Sequence, residues 1–142
     1  MKNGLLRKAI YFRDLALLAE IVRMQREIRR GGGERAIAIL EATPVARGHS
    51  LSARRARKID RYVDLGLRLA GAGTVNQCLP RSVIRAALMR RAGADARVAF
   101  GLNRDGERLD GHCWVVLPGD ASHERMAAQF QSVQILPEGP HE

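Results

Sequence analysis

Apolar residues in the first half of the chain recur at helical spacing. A helix is predicted over residues 5 to about 30, where positions three, four or seven apart are apolar and charged residues lie between them: Leu6, Ile10, Leu17, Ile21 and Met24. The glycines of RRGGGE (29–34) end this helix, because glycine loses more backbone entropy in a helix than other residues do. A shorter helix, about Arg35 to Ala42, stops before Pro44. A third is predicted to begin at Ser50 or Ser52 as its N-cap and to carry one apolar face: Ile59, Val63, Leu67 and Ala70.

A fourth helix follows the loop GAGTVN (71–76). The stretch QCLPRSVIRAALMRRAG (77–93) carries a buried stripe at helical spacing: Val83, Ile84, Ala87 and Leu88. Pro80 has no N–H and fits only in the first turn, and Gly93 suits the C-terminal end. Cys78 is therefore predicted to lie at the N-terminal tip of a largely buried helix.

The last third of the chain changes to a period of two. ARVAFGLN (96–103) and LDGHCWVVL (109–117) are predicted strands joined by the turn RDGE (104–107), and SVQIL (132–136) is a further strand. The segment ASHERMAAQF (121–130) fits either a strand or a short helix. The predicted fold class is α+β, a helical N-terminal half followed by a small antiparallel sheet.

Composition and charge narrow the function classes. At 142 residues and 46% hydrophobic, the chain is expected to fold as one compact domain, with residues 1–45 as an N-terminal helical region. The net charge of +9 would attract an acidic peptide or a nucleic acid, and it is dense only in ARRARK (53–58), which suits a solvated helix face or an anion site. Two cysteines exclude a disulfide scaffold and favour a reducing compartment. Without a signal-peptide core or a membrane span, the sequence predicts a cytoplasmic protein.

The stretch GHCWVVLPGDASHE (111–124) concentrates the groups that can do chemistry. His112 and Cys113 are adjacent on a strand and point to opposite faces, so they are poorly placed to grip one metal ion. The chain has no C-x-x-C or H-E-x-x-H motif, and we expect no metal and no other cofactor. Cys78 can be a small packed residue, or a nucleophile activated by the positive end of its helix. In the second case His112 could supply the base.

The third group of such a triad stays open between three residues. If Pro118, Gly119 and Asp120 form a three-residue hairpin loop, Trp114 pairs with Glu124, which then shares the His112 face as a diagonal neighbour. A two-residue loop would bring His123 to that face instead. Asp120 would lie at the hairpin tip. The order of preference is Glu124, His123, Asp120.

Three motifs together carry a family resemblance. CLPRSVIRAALMRRAG, then ARVAFGLNRDG, then GHCWV resemble the transglutaminase-like leader peptidase of lasso-peptide biosynthesis, the protease part of the B protein in the microcin-processing family. The likeness covers about residues 59 to 136. It implies a papain-like cysteine protease fold, with residues 46–142 as the peptidase core. In the family Ala is usual where this chain has Cys113, Glu where it has Val116, and Asp where it has Glu124.

The resemblance implies a role for each matching residue. Cys78 would be the nucleophile and His112 the general base, with Glu124 holding the base. Gln77 would assist the oxyanion, Arg81 belongs to the helix-start motif and Trp114 would wall the site. The implied reaction is removal of the leader from a ribosomally made precursor peptide.

The resemblance also implies partners. The chain looks like the split form of the family, which depends on a separate leader-recognition protein and hands its product to a lasso cyclase. The basic face with Arg54, Arg55 and Arg57 is a candidate contact for that recognition protein or for an acidic leader. Two other functions remain open: a transglutaminase-like acyl transferase, and a small basic nucleic-acid-binding protein without catalysis, which the scarcity of aromatic residues disfavours.

Overall fold

The computed structural model describes residues 2–71 and 77–139, with residues 2–12 as backbone only. Its elements in chain order are α1 (Lys2–Glu41), α2 (Ala53–Leu69), α3 (Cys78–Arg91), β1 (Arg97–Asp105), β2 (Arg108–Val116), α4 (Ser122–Ala127) and β3 (Ser132–Leu136). The predicted α+β class is confirmed. Most of the predicted loop 71–76 lies outside the described residues.

The two helices predicted at the N-terminus join at the glycines within α1. Only Gly32 leaves helical geometry inside α1, with φ of 65° and ψ of −152°. This left-handed conformation is open to glycine at low cost, so the chain bends there and resumes its helix. The predicted break between two helices at residues 29–34 is confirmed, since the two helical segments meet at a kink at Gly32.

Helix α2 begins where the sequence predicts an N-cap. The Ser52 side chain accepts a hydrogen bond from the Arg55 backbone N–H at 3.1 Å. The helix buries three residues of the predicted apolar face, Ile59, Val63 and Leu67, together with Gly66. The fourth predicted residue, Ala70, is the C-cap and is half-buried. Its other contacts tie it to α1, because Asp14 of α1 accepts from the Tyr62 hydroxyl at 2.8 Å and pairs with Lys58 at 2.7 Å.

The core lies between the helices and one face of the sheet. Helix α3 is buried along most of its length and packs against α1, α2 and β2. Its C-terminal end is held by Arg90, whose guanidinium donates to the Thr43 carbonyl at 2.6 Å and to the Ala96 carbonyl at 3.0 Å. One side chain thus joins α3 to the segments that follow α1 and precede β1.

The sheet is antiparallel, with strand order β2-β1-β3. The turn after β2 does not continue as a hairpin, because residues 122–127 form α4 and the next strand, β3, pairs with β1. The predicted pairing of Trp114 with Glu124 is therefore wrong. Asp120 lies in the turn before α4, where its carboxylate accepts from the backbone N–H and the hydroxyl of Ser122. Among the described strands, β2 consequently lies at an edge of the sheet.

Candidate active site

Cys78 is the first residue of α3 and faces β2. The thiol is half-buried and packs against the core. Ser82, one turn further along the helix, lies on the same helix face and donates its hydroxyl hydrogen to the Cys113 carbonyl at 3.2 Å. The start of α3 is thereby anchored to the strand that carries His112.

The other cysteine, Cys113, lies on the strand against which the start of α3 is anchored. Ser82 joins the Cys78 face of α3 to the Cys113 backbone, and the Cys113 thiol is buried in the core against which Cys78 packs. Burial, followed by the Cys78 sulfur, raises the pKa of Cys113 to about 12. Cys113 therefore keeps its proton at neutral pH.

His112 lies on the opposite face of β2. In the regular β1–β2 ladder it pairs with Gly101, while Cys113 pairs with Phe100. The His112 imidazole stacks on Trp114, with ring centroids 6.1 Å apart, and on Phe130, at 6.2 Å. In the described part of the chain no hydrogen bond joins Cys78 to His112. The structure thus packs Cys78 against the strand that carries His112, next to the neighbouring residue Cys113. The Cys78 and His112 side chains lie on different faces of that strand.

The His112 face is covered by a cluster of four rings. Trp114 stacks on Phe130 at 5.4 Å, and its Nε1–H donates to His123 Nδ1 at 3.1 Å. Phe130 fits there because Gly101 has no side chain: a Cβ at that position would lie 2.5 Å from the Phe130 ring. The four rings, His112, Trp114, His123 and Phe130, are called the ring cluster below.

The three candidates for the orienting group occupy different places. His123 belongs to the ring cluster through its bond from Trp114. Glu124 is exposed in the first turn of α4, and within the described residues its side chain forms no hydrogen bond or ion pair. Asp120 is occupied by Ser122, whose hydrogen bonds lower the pKa of that carboxyl. Of the three, His123 alone contacts the surroundings of His112.

The two residues predicted beside the nucleophile also have definite positions. Gln77 immediately precedes α3, half-buried, and its carbonyl accepts from the Arg81 backbone N–H at 3.1 Å. Arg81 pairs with Asp64 of α2 at 3.2 Å, so its side chain tethers the start of α3 to α2. The first residues of a helix have N–H groups without partners inside the helix, and these can cradle an oxyanion next to Cys78.

Sequence reasoning missed two members of this region. Phe130 was read only as part of an ambiguous segment, and Ser82 only as a helix position. The signal for Phe130 was Gly101, since a glycine inside a strand marks a place where another group approaches closely. Ser82 had no comparable signal, because its acceptor is a carbonyl on a distant strand.

Two further properties of the described residues concern metal binding and membrane insertion. Among the described residues, no group of three or more His, Cys, Asp or Glu side chains could hold a metal ion. In the same part of the chain, no helix has both the length and the apolar character needed to cross a membrane.

Comparison with known proteins places the fold. The chain matches the family model of the Transglutaminase-like superfamily over residues 18–135. This chain belongs to the transglutaminase-like superfamily. Domains of this superfamily are usually cysteine-dependent enzymes, either cysteine proteases or acyltransferases. The match starts within α1 and so extends beyond the core predicted from residue 46. No curated protein and no solved structure matches the chain.

Proposed function

We propose that the protein is a cysteine peptidase that removes the leader from a lasso-peptide precursor. The observation that carries the proposal is the position of Cys78: it begins the helix that packs on the His112 strand, inside a transglutaminase-like domain. A thiol at a helix start is favoured as an anion by the helix dipole. The motif resemblance over residues 59 to 136 supplies the substrate class.

In the proposed reaction the Cys78 sulfur attacks the scissile carbonyl, and the N–H groups at the start of α3 stabilise the oxyanion. His112 takes the thiol proton and passes it to the leaving amine, after which water hydrolyses the acyl-enzyme. For this step the imidazole must turn from Trp114 around the edge of β2. His112 is exposed on an edge strand, and because the backbone fixes the face to which its side chain points, this movement must include the β2 backbone.

The contacts support His123 as the group that positions the base region. It holds the Trp114 indole, and the indole in turn stacks on His112. Glu124 remains the acid that the family pattern favours. The variants His123→Gln and Glu124→Gln separate the two roles. Replacing the residue that orients His112 should lower kcat and alter its pH profile. Replacing a residue that holds Trp114 should also change the Trp114 fluorescence.

The decisive experiment is cleavage of the precursor in the presence of its recognition protein, with products identified by mass spectrometry. Cys78→Ala and His112→Ala should abolish cleavage while the proteins stay folded by circular dichroism. The matched control is Cys113→Ala, which removes the neighbouring thiol and should retain cleavage. Cleavage by Cys78→Ala would overturn the proposal.

The basic start of α2 supports the proposed contact with an acidic leader or with the recognition protein. Arg54, Arg55 and Arg57 are exposed, and among the described residues they form no ion pair. Charge reversal at these positions should slow processing of the precursor. It should not change the reactivity of Cys78 towards a small alkylating reagent, because the α2 start is remote in sequence and packing from the thiol. Unchanged processing would exclude this surface. The product with its new N-terminus would then pass to the lasso cyclase.

Acyl transfer is the second candidate, because the superfamily contains acyltransferases as well as proteases. Both reactions share the acyl-enzyme and differ in the acceptor, which is water or an amine. Adding a primary amine to the cleavage mixture distinguishes them. A peptidase yields the free leader acid, whereas an acyltransferase yields the amide.

A further inference from the structure

The two cysteines of the chain lie on either side of the packing between α3 and β2. Cys78 is the first residue of the helix and is half-buried, and Cys113 is buried on the strand. The hydrogen bond from Ser82 to the Cys113 carbonyl fixes the strand against the helix face that bears Cys78. Both thiols belong to the same packed region, so neither needs a large backbone movement to approach the other.

Cys113 does not serve the proposed mechanism. It points away from the His112 face, and an apolar residue of similar size would fill its place in the core. A thiol packed beside a nucleophilic cysteine nevertheless has one chemical possibility that alanine lacks, which is covalent capture of that cysteine after oxidation.

We propose that Cys78 and Cys113 form a reversible disulfide that switches the protein off under oxidising conditions. The formation of the bond depends only on the positions of the two cysteines in the packing of α3 on β2. Its consequence for activity rests on the proposed function, because it consumes the proposed nucleophile. Cys113 would protect Cys78 from irreversible over-oxidation.

The oxidant in the proposed reaction is a peroxide. The Cys78 sulfur attacks one oxygen of hydrogen peroxide and breaks the O–O bond, giving a sulfenic acid on Cys78 and one water. The Cys113 sulfur then attacks the Cys78 sulfur and displaces its hydroxyl group, which leaves as a second water with the thiol proton. In total two thiols and one peroxide give one disulfide and two waters. A dithiol reductant reverses the reaction by two thiol–disulfide exchanges and becomes a disulfide itself.

Burial sets the order of these steps. Cys78 is the less buried of the two thiols and is therefore the first to react with peroxide. Cys113 is a weak nucleophile, because burial raises its pKa to about 12 and little of the thiol is ionised at neutral pH. The position of Cys113 beside Cys78 compensates for this low reactivity, because two groups that are held next to each other react without a diffusional encounter.

The test is peroxide treatment of the intact protein, followed by denaturation in acid, alkylation of free thiols and peptide mass mapping. The wild-type protein should yield the Cys78–Cys113 peptide pair with both thiols lost, and dithiothreitol should restore both. The matched variant Cys113→Ala should instead carry Cys78 as sulfinic acid, which dithiothreitol does not reverse. Circular dichroism establishes that this variant is folded.

Two outcomes would overturn the proposal: a wild-type Cys78 in the sulfinic form beside a free Cys113, or a Cys78–Cys78 bond between two molecules with Cys113 still alkylated. The cleavage assay is read separately. If the internal disulfide forms but the reduced protein does not cleave the precursor, the redox pair stands and the peptidase proposal fails. If both stand, peroxide should abolish cleavage and dithiothreitol should restore it in the wild-type protein alone.

Discussion

Gly101 lies directly beneath the Phe130 ring, and replacing it with alanine tests how tightly the ring cluster is built. A Cβ at position 101 would lie 2.5 Å from the ring, closer than any ordinary contact, so Phe130 must move. Overpacking of this kind costs about 1–3 kcal/mol, while removing a glycine from a strand interior returns about 0.5–1 kcal/mol. We expect Gly101→Ala to lower the free energy of unfolding by about 1–2 kcal/mol.

The assay is urea denaturation followed by circular dichroism and by fluorescence. Trp114 is the only tryptophan of the chain and stacks on Phe130, so its emission reports on the ring cluster in the folded state. The native emission should shift in Gly101→Ala. In a Phe130→Leu background the same alanine should cost less, because leucine is smaller and can yield, and the double-mutant cycle measures that difference.

The matched control is Gly111→Ala on the neighbouring strand. A Cβ there would lie 3.3 Å from the end of the flexible Leu102 side chain, on the other face of the sheet. This substitution should be neutral or slightly stabilising, within about 0.5–1 kcal/mol. Equal stability of Gly101→Ala and Gly111→Ala, with unchanged Trp114 emission in both, would refute the packing described for the ring cluster.

Three further predictions test the frame that holds the site. Ser52→Ala should lower the free energy of unfolding by about 1 kcal/mol, because the α2 N-cap is lost, and thermal denaturation measures this. Arg90→Lys should cost about 1–3 kcal/mol, since a single ammonium cannot replace the guanidinium bonds to two carbonyls at once; an unchanged urea midpoint would contradict it. Hydrogen bonds from Lys58 and Tyr62 hold the pKa of Asp14 below its ordinary value of 3.8. Because the folded-state pKa is depressed, this stabilisation is present above about pH 4 and is lost as pH falls through the folded-state pKa. Asp14→Asn should flatten that part of the stability–pH curve, and a curve as steep as that of the wild type would exclude the assignment.

Local patterns were enough to predict most elements of the fold. The apolar spacing placed α2, α3 and the first two strands close to their observed bounds, and Ser52 acts as the predicted cap. These features depend on side chains within a few residues of one another, so they can be predicted from the local sequence. The helix break at the glycines was also predicted correctly, because the left-handed conformation of Gly32 is a local property of that residue.

The sequence by itself determined that Cys78 opens a buried helix, that His112 lies on a strand, and that His112 and Cys113 point to opposite faces. Only the tertiary structure decided which face meets the helix. Cross-strand register and helix docking depend on contacts between residues far apart in the chain, and no local period encodes them. That packing sets Cys78 against Cys113, places Phe130 over Gly101, and gives the Trp114 indole to His123 instead of a strand pairing with Glu124.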